Sequence, residues 1–201
     1  MEYAKSMDPF LQLPPDQKLE FFKAFSCIWG GIEGSFRTVK AGGFEKRWLV
    51  MPDNSYVVLD DLQGYYEGDV LKVDKQTAAR LFKPAGEQAL AEIMLPMVQN
   101  KMNDVEFVTL AAITSWTCDP TLSNCSEETK TLGKITRDQL CADLYAYYAN
   151  VGIPDPDVRF GNLLLMIPAL LEFARTSLEN FRLVKFFDMM NYDKILDDLF
   201  D

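Results

Sequence analysis

The sequence predicts an all-α protein whose helices stack in layers around the two most apolar of them, with one small β-hairpin attached. Three observations carry that prediction. Residues 16–38 and 157–189 place apolar side chains at helical spacing over most of a helix surface. Convincing strand signal occurs once, between Arg47 and Asp60. An apolar content of 48% in 201 residues suffices for a sizeable core in one domain spanning 1–201, or in two small ones.

In order along the chain, Pro14-Pro15 and Asp16 announce a helix start, with Asp16 as its cap. The run Leu19, Phe21, Phe22, Phe25, Ile28, Trp29, Ile32 and Phe36 makes that helix buried on most sides. Trp48-Leu49-Val50-Met51 and Tyr56-Val57-Val58-Leu59, joined by Pro52-Asp53-Asn54-Ser55, predict the hairpin. Residues 75–102 read as helix, interrupted at Pro84-Ala85-Gly86 and kinked at Pro96. An apolar helix follows from Asn103 to Trp116, then a polar loop from Asp119 to Glu128. From about Glu127 the pattern is amphipathic, through Leu140, Leu144, Tyr147, Tyr148 and Val151, and Gly152 stops it. Pro154-Asp155-Pro156-Asp157 then links to one long helix, Asp157 to Met189, with Pro168 inside it as a kink.

Composition excludes whole classes of function. A net charge of −10 and a pI near 4.6 argue against gripping a phosphate backbone, which needs clustered Lys and Arg. The sequence contains no His, which removes histidine-based triads, zincin motifs and histidine metal sites, and no Gly-rich phosphate loop is visible. No cofactor or metal is expected, and an enzyme reading is weak. Cys27, Cys118, Cys125 and Cys141 lack CxxC spacing and read as buried or loop thiols in a reducing compartment, with a Cys118–Cys125 bridge as the alternative. The polar start Met1-Glu2-Tyr3-Ala4-Lys5 and the short apolar stretch from Leu163 to Ala174 predict a soluble, intracellular chain.

The last ten residues, Tyr192 to Asp201, form a further pattern. Ile195, Leu196, Leu199 and Phe200 share one face of a short helix with Asp197 and Asp198 at its edges, so that this helix can dock or detach.

Three separated segments resemble, in order, the ligand-binding domain of nuclear hormone receptors. Phe10, Leu13, Asp16-Gln17 and Phe21-Phe22-Lys23-Ala24 are similar to the signature joining the family's helix 3 to its helices 4 and 5, with the Asp-Gln pair one place early. Arg159-Phe160-Gly161 through Pro168-Ala169-Leu170 is similar to the family's helix 10, internal proline included. Leu183 to Phe187 and the tail from Ile195 to Phe200 resemble the end of helix 11 and the activation helix 12. The Arg-Phe-Gly opening looks most like the hepatocyte nuclear factor four and retinoid X receptor branch, in a diverged, nematode-type form. The resemblance covers nearly the whole chain but begins at Tyr3, so that helix 1 and most of helix 3, which wall one side of the family's cavity, and the zinc-bearing module are not matched. That implies a layered antiparallel helical sandwich shortened at its N-terminus, as a fragment or a reduced receptor.

The resemblance also implies sites. A coactivator helix with an LxxLL motif would lie between Lys5 and Asp198, over Leu19, Phe22, Lys23, Ile195, Leu196 and Leu199, its dipole clamped at both ends. Asp198 stands where Glu is usual, shortening the reach by roughly 1.5 Å. Arg37 falls where acid-binding members pair an arginine with a ligand carboxylate, and a surface arginine near a helix end is the equal alternative. Ser26, Cys27, Gly30, Gly31, Gly34, Ser177, Asn180 and Phe181 are the other implied pocket positions. The three glycines stand where the family usually has larger apolar residues, so either a bulky neighbour or a large ligand fills the space. Leu163, Leu164, Met166, Ile167, Leu170 and Leu171 would form a homo- or heterodimer face, some of them being core instead. Glu106 and Arg159 stand where they could form a buried tie between two helices. The implied function is a nuclear, ligand-regulated transcription regulator domain that binds a small apolar acid or lipid and recruits LxxLL coactivators or corepressors. The alternative is a ligand-independent module that dimerises or sequesters cofactors.

Overall fold

The computed structural model describes Tyr3, residues 6–65, residues 71–193 and Leu196. A short helix α1 (Asp8–Gln12) leads into α2 (Pro15–Lys40), the central helix of the molecule. Pro15 occupies the first turn, where a missing N–H is harmless. Pro14 is the cap and Asp16 lies inside the first turn, a correction to the expected Asp16 cap. Asp16 at the start and Arg37 and Lys40 at the end complement the helix dipole. Phe21, Phe25, Ile28, Ile32 and Phe36 recur every three to four residues and are buried.

β1 (Trp48–Val50) and β2 (Tyr56–Val58) pair antiparallel, with Leu49 opposite Val57. Their turn works because Asn54 accepts a left-handed backbone and Asp53 takes hydrogen bonds from the Ser55 N–H and hydroxyl. A 3₁₀ turn (Leu59–Asp61) and the short helix α3 (Leu62–Tyr65) follow.

α4 (Lys75–Gln88) starts on Asp74, whose carboxylate accepts from the Thr77 N–H. It runs through Pro84 without interruption, correcting the expected break at 84–86; the irregular stretch comes later, as a π-helical segment (Ala89–Met94). Gly86 lets α4 pack closely on the 3₁₀ turn and the hairpin, since a Cβ there would lie 2.5 Å from Leu59 Cδ1 and 3.3 Å from Leu49 Cδ1. Pro96 then sits at the start of α5 (Leu95–Gln99), which continues directly from the π-helical segment.

α6 (Asp104–Ser115) is buried on most sides from Glu106 onward and opens with a reciprocal capping box between Asn103 and Glu106. α7 (Glu127–Val151) starts on Ser126 and ends at Gly152, whose φ of 68° closes the helix in the left-handed region. The expected single C-terminal helix is two, α8 (Pro156–Leu164) and α9 (Ile167–Phe186). Inside one helix, Pro168 would leave the Leu164 carbonyl without a donor and press its ring on it; in the first turn of α9 neither penalty arises.

The main core joins Ile32, Met97, Leu110, Leu144, Tyr148, Leu163 and Leu170, drawing on six of these helices. A buried ion pair crosses it: Glu106, 2% exposed, accepts from Arg159 through both carboxylate oxygens and from the Tyr148 hydroxyl at 2.7 Å. The tie between Glu106 and Arg159 is therefore formed. Among the described residues no helix is long and apolar enough to cross a membrane, and all four cysteines are free thiols.

Candidate functional site

One face of α2 opens into a cavity of about 800 Å³. Gly30, Glu33, Gly34 and Arg37 fall at helical spacing on that face. The hairpin contributes Leu49, Met51 and Pro52; α4 and the π-helical segment contribute Phe82, Gly86 and Met94; α9 contributes Phe173, Ser177 and Asn180. The wall is mostly apolar with a few converging polar groups, the usual chemistry of a small-molecule site.

The glycines divide by what surrounds them. A Cβ at Gly30 or Gly34 would meet nothing within 4 Å, so both positions border open space. A Cβ at Gly31 would lie 2.5 Å from Phe173 Cδ1, so there a bulky neighbour fills the room. Two helical glycines that make no close contact cost up to about 1 kcal/mol each relative to alanine, and what they yield here is cavity volume.

Arg37 lines the cavity with its guanidinium already engaged. Nε donates to Glu33 Oε1 at 2.9 Å, Nη2 donates to the same oxygen, and Nη1 donates to the Met51 and Pro52 carbonyls at 3.1 and 3.0 Å. The side chain thus ties α2 to the hairpin turn, and its carboxylate partner comes from one turn earlier on its own helix. Sequence reasoning missed Glu33, although an acid four residues before an arginine on a helix signals such a pair. It also missed Phe173 and Phe82, which only the packing of α9 and α4 against α2 brings to the wall.

Gly30, Gly31, Gly34, Arg37, Ser177 and Asn180 come together around the cavity, while Ser26, Cys27 and Phe181 do not line it. The Ser26 hydroxyl donates to the Phe22 carbonyl at 2.7 Å. Cys27 packs with Ala24, Ile28, Leu122, Ala174 and Leu178, and burial pushes its thiol up to about 11. Phe181 meets Tyr192 edge-on, ring centroids 5.3 Å apart. Ser26 and Cys27 stand one turn before Gly30 and Gly31 on α2, and Phe181 one turn after Ser177 on α9, so their faces match those of lining residues and their positions along the helix axes take them beyond the cavity.

On the N-terminal half of α2, Leu19 is 47% exposed, Phe22 is half-buried against Phe25, and Lys23 pairs with Glu20 at 3.5 Å. Leu196 is half-buried and its N–H donates to the Asp193 carbonyl. Lys5, Ile195, Asp198 and Leu199 lie outside the described residues.

Of the expected dimer face, Leu163, Met166 and Leu170 are 4%, 3% and 1% exposed, which corrects their assignment: they belong to the chain's own core. Leu164, Ile167 and Leu171 are half-buried, beside Leu165 at 76% exposure. A break between α8 and α9 rotates the apolar band, so neighbours in sequence part between inside and outside.

The family model for the ligand-binding domain of nuclear hormone receptor matches residues 1–187. The chain is 26% identical over 199 residues to nuclear hormone receptor family member nhr-86 of Caenorhabditis elegans, covering 96% of this chain and 48% of that protein. It is 28% identical over 186 residues to family member nhr-16 of the same organism, covering 90% and 47%. A third relative, the High zinc activated nuclear receptor protein of C. elegans, is 27% identical over 192 residues, covering 92% and 46%. The chain spans about half the length of these curated relatives. A helical fold with a small hairpin, a cavity beside its central helix and a family match over nearly the whole sequence agree, and the chain belongs to the ligand-binding domain family of nuclear hormone receptors.

Proposed function

We propose that this domain binds a small, largely apolar molecule in the cavity beside α2 and, as part of a nuclear transcription regulator, uses occupancy to control recruitment of LxxLL coactivators or corepressors. The observation that carries the reading is the open face of α2, where Gly30 and Gly34 border a cavity of about 800 Å³. Of the two ligand classes, acid or lipid, the Glu33–Arg37 pair favours an uncharged lipid. Glu33 already supplies the carboxylate that an acidic ligand would bring, and a second carboxylate would be buried beside the first at a Coulombic cost. A hydroxyl or carbonyl on an otherwise apolar ligand can hydrogen-bond the pair without displacing it. No covalent chemistry is involved.

Occupancy can bias the C-terminal segment only through differential affinity for its two positions. Moving the balance from 1:99 to 99:1 requires about 5.5 kcal/mol of it. The groove side of the reading rests on Leu19, Phe22 and Lys23 on α2, and the partner side is the acidic tail containing Asp198. Dimerisation through Leu164, Leu165, Ile167 and Leu171 belongs to the same proposal.

The test is equilibrium binding of a fluorescent LxxLL peptide to the whole chain, alone and with a long-chain fatty alcohol or the matching fatty acid, beside Gly34→Leu. The expected result is peptide binding strengthened by the alcohol more than by the acid, with both effects lost in Gly34→Leu because its side chain occupies the cavity. Peptide binding that neither lipid nor cavity filling changes would overturn the ligand switch and support a ligand-independent interaction module.

A further inference from the structure

The cavity beside α2 carries polar groups toward both of its ends, and the two ends differ in what those groups already hold. At one end Arg37 is tied to Glu33 and to the carbonyls of the hairpin turn. At the other stand Ser177 and Asn180 of α9, which line the cavity and are half-buried. Neither of their side chains makes a hydrogen bond to another described residue. A helical hydroxyl can satisfy itself on the carbonyl one turn earlier, as Ser26, Thr114 and Ser115 do at 2.7, 2.7 and 2.8 Å. Ser177 does not.

The two ends lie far apart because α2 and α9 run antiparallel. Gly31 of α2 abuts Phe173 of α9. Earlier residues of α2, Ala24 and Ile28, pack with later residues of α9, Ala174 and Leu178, whereas Ile32 and Phe36 share a cluster with Leu170. From the Gly31–Phe173 crossing, Arg37 is therefore six residues along α2 in one direction, and Ser177 and Asn180 are four and seven residues along α9 in the opposite one. At the helical rise per residue, the backbone positions of the two ends are separated by roughly 15–20 Å. The wall between them is mostly apolar, with Leu49, Phe82, Ala89, Met94 and Phe173.

We propose that the ligand of this cavity is two-ended: an elongated apolar body with one oxygen function at the Glu33–Arg37 pair and a second, uncharged one at Ser177 and Asn180. This rests on the reading of the cavity as a site for an uncharged lipid, and it adds the position and chemistry of the ligand's far end. A hydroxyl suits that end, because the Asn180 amide offers donors and an acceptor and the Ser177 hydroxyl can act as either. A methyl terminus would displace water from both side chains and give them no partner in return, a loss that a hydroxyl terminus avoids. Among the described lining residues Arg37 is the one cation, so a carboxylate at the far end would lack a counter-charge.

Isothermal titration calorimetry of the whole chain with dodecane-1,12-diol and dodecan-1-ol, and with octane-1,8-diol and octan-1-ol, tests this. An extended chain of roughly twelve carbons reaches from one end to the other, and one of roughly eight falls short. Dodecanediol should bind about tenfold tighter than dodecanol, the effect of one or two added hydrogen bonds. The octane pair should show no preference for the diol. In the double variant Ser177→Ala, Asn180→Leu, checked for fold by circular dichroism, the preference within the dodecane pair should disappear. Equal or weaker binding of dodecanediol by the wild-type chain overturns the two-ended ligand without reference to any variant. An equal preference in the octane pair, or one that survives in the folded double variant, overturns it as well. Dodecanol binding that Gly34→Leu abolishes, with no gain for the diol, leaves the cavity reading standing and removes this inference alone. Failure of the wild-type chain to bind either dodecane lipid removes both.

Discussion

Replacing Gly34 and Gly31 by alanine, one at a time, separates a glycine kept for space from a glycine required by a neighbour. Both lie in the interior of α2, so both gain the same helix propensity, about 0.8–1 kcal/mol. At Gly34 the new methyl meets nothing within 4 Å, so Gly34→Ala should be more stable than wild type by nearly that amount. At Gly31 the methyl would lie 2.5 and 2.8 Å from Phe173 Cδ1 and Cε1, so the ring must move within a packed environment. Overpacking of this kind costs about 1–3 kcal/mol, and it is the whole difference between the two variants because the propensity gain cancels. Urea unfolding at 25 °C with linear extrapolation reads the difference directly. In thermal unfolding a domain of this size shifts about 2–4 °C per kcal/mol. Equal stability of the two alanine variants would refute the assignment of Gly31 to the Phe173 contact. Phe173→Ala should remove the penalty from Gly31→Ala in a double-mutant cycle.

Three further outcomes follow from the same geometry. Glu33→Gln removes the carboxylate that engages Arg37, so competition binding should show the preference for a fatty acid over its alcohol rising about tenfold, roughly 1.4 kcal/mol; an unchanged preference would mean that Arg37 does not face the ligand. Burial alone would raise the Glu106 carboxyl, but hydrogen bonds from Arg159, the Asn103 N–H and Tyr148 outweigh it and hold it below the usual glutamate range. Its contribution is therefore complete above about pH 4.3, the ordinary glutamate value, and is lost as pH falls through the lower folded value, so Glu106→Gln should flatten the acid limb of a stability-against-pH curve. Leu165→Asp should leave thermal stability nearly unchanged and weaken any self-association seen by sedimentation, whereas Leu163→Asp should unfold the chain because it buries an unpaired charge.

Much of the fold is legible in the sequence because helices announce themselves locally. The Pro-Pro-Asp start of α2, the Asn103–Glu106 capping box and the Gly152 stop act through residues within a turn of one another. The hairpin is equally local, since Asn54 and Asp53 define its turn. Where reading failed, two local solutions were close in energy. Pro168 can kink one helix or begin another, and Pro84 can break a helix or ride within it; packing of the flanking segments chooses. The site was less legible. Arg37 was placed at the cavity by position, but its partner Glu33 went unread although it stands at the favourable i, i+4 spacing.

The sequence by itself determined the all-helical class, the order of its elements, the exclusion of histidine chemistry and the resemblance that led to the family, because each depends on residue types and short-range spacing. Tertiary structure alone decided that Gly30 and Gly34 border the cavity while Gly31 packs on Phe173, and that Leu163, Met166 and Leu170 are core while Leu164, Ile167 and Leu171 are half-buried. Those outcomes depend on the rotation of one helix against another, and a change of a few tens of degrees, invisible in the periodicity of either helix, exchanges a side chain that meets a neighbour for one that meets empty space.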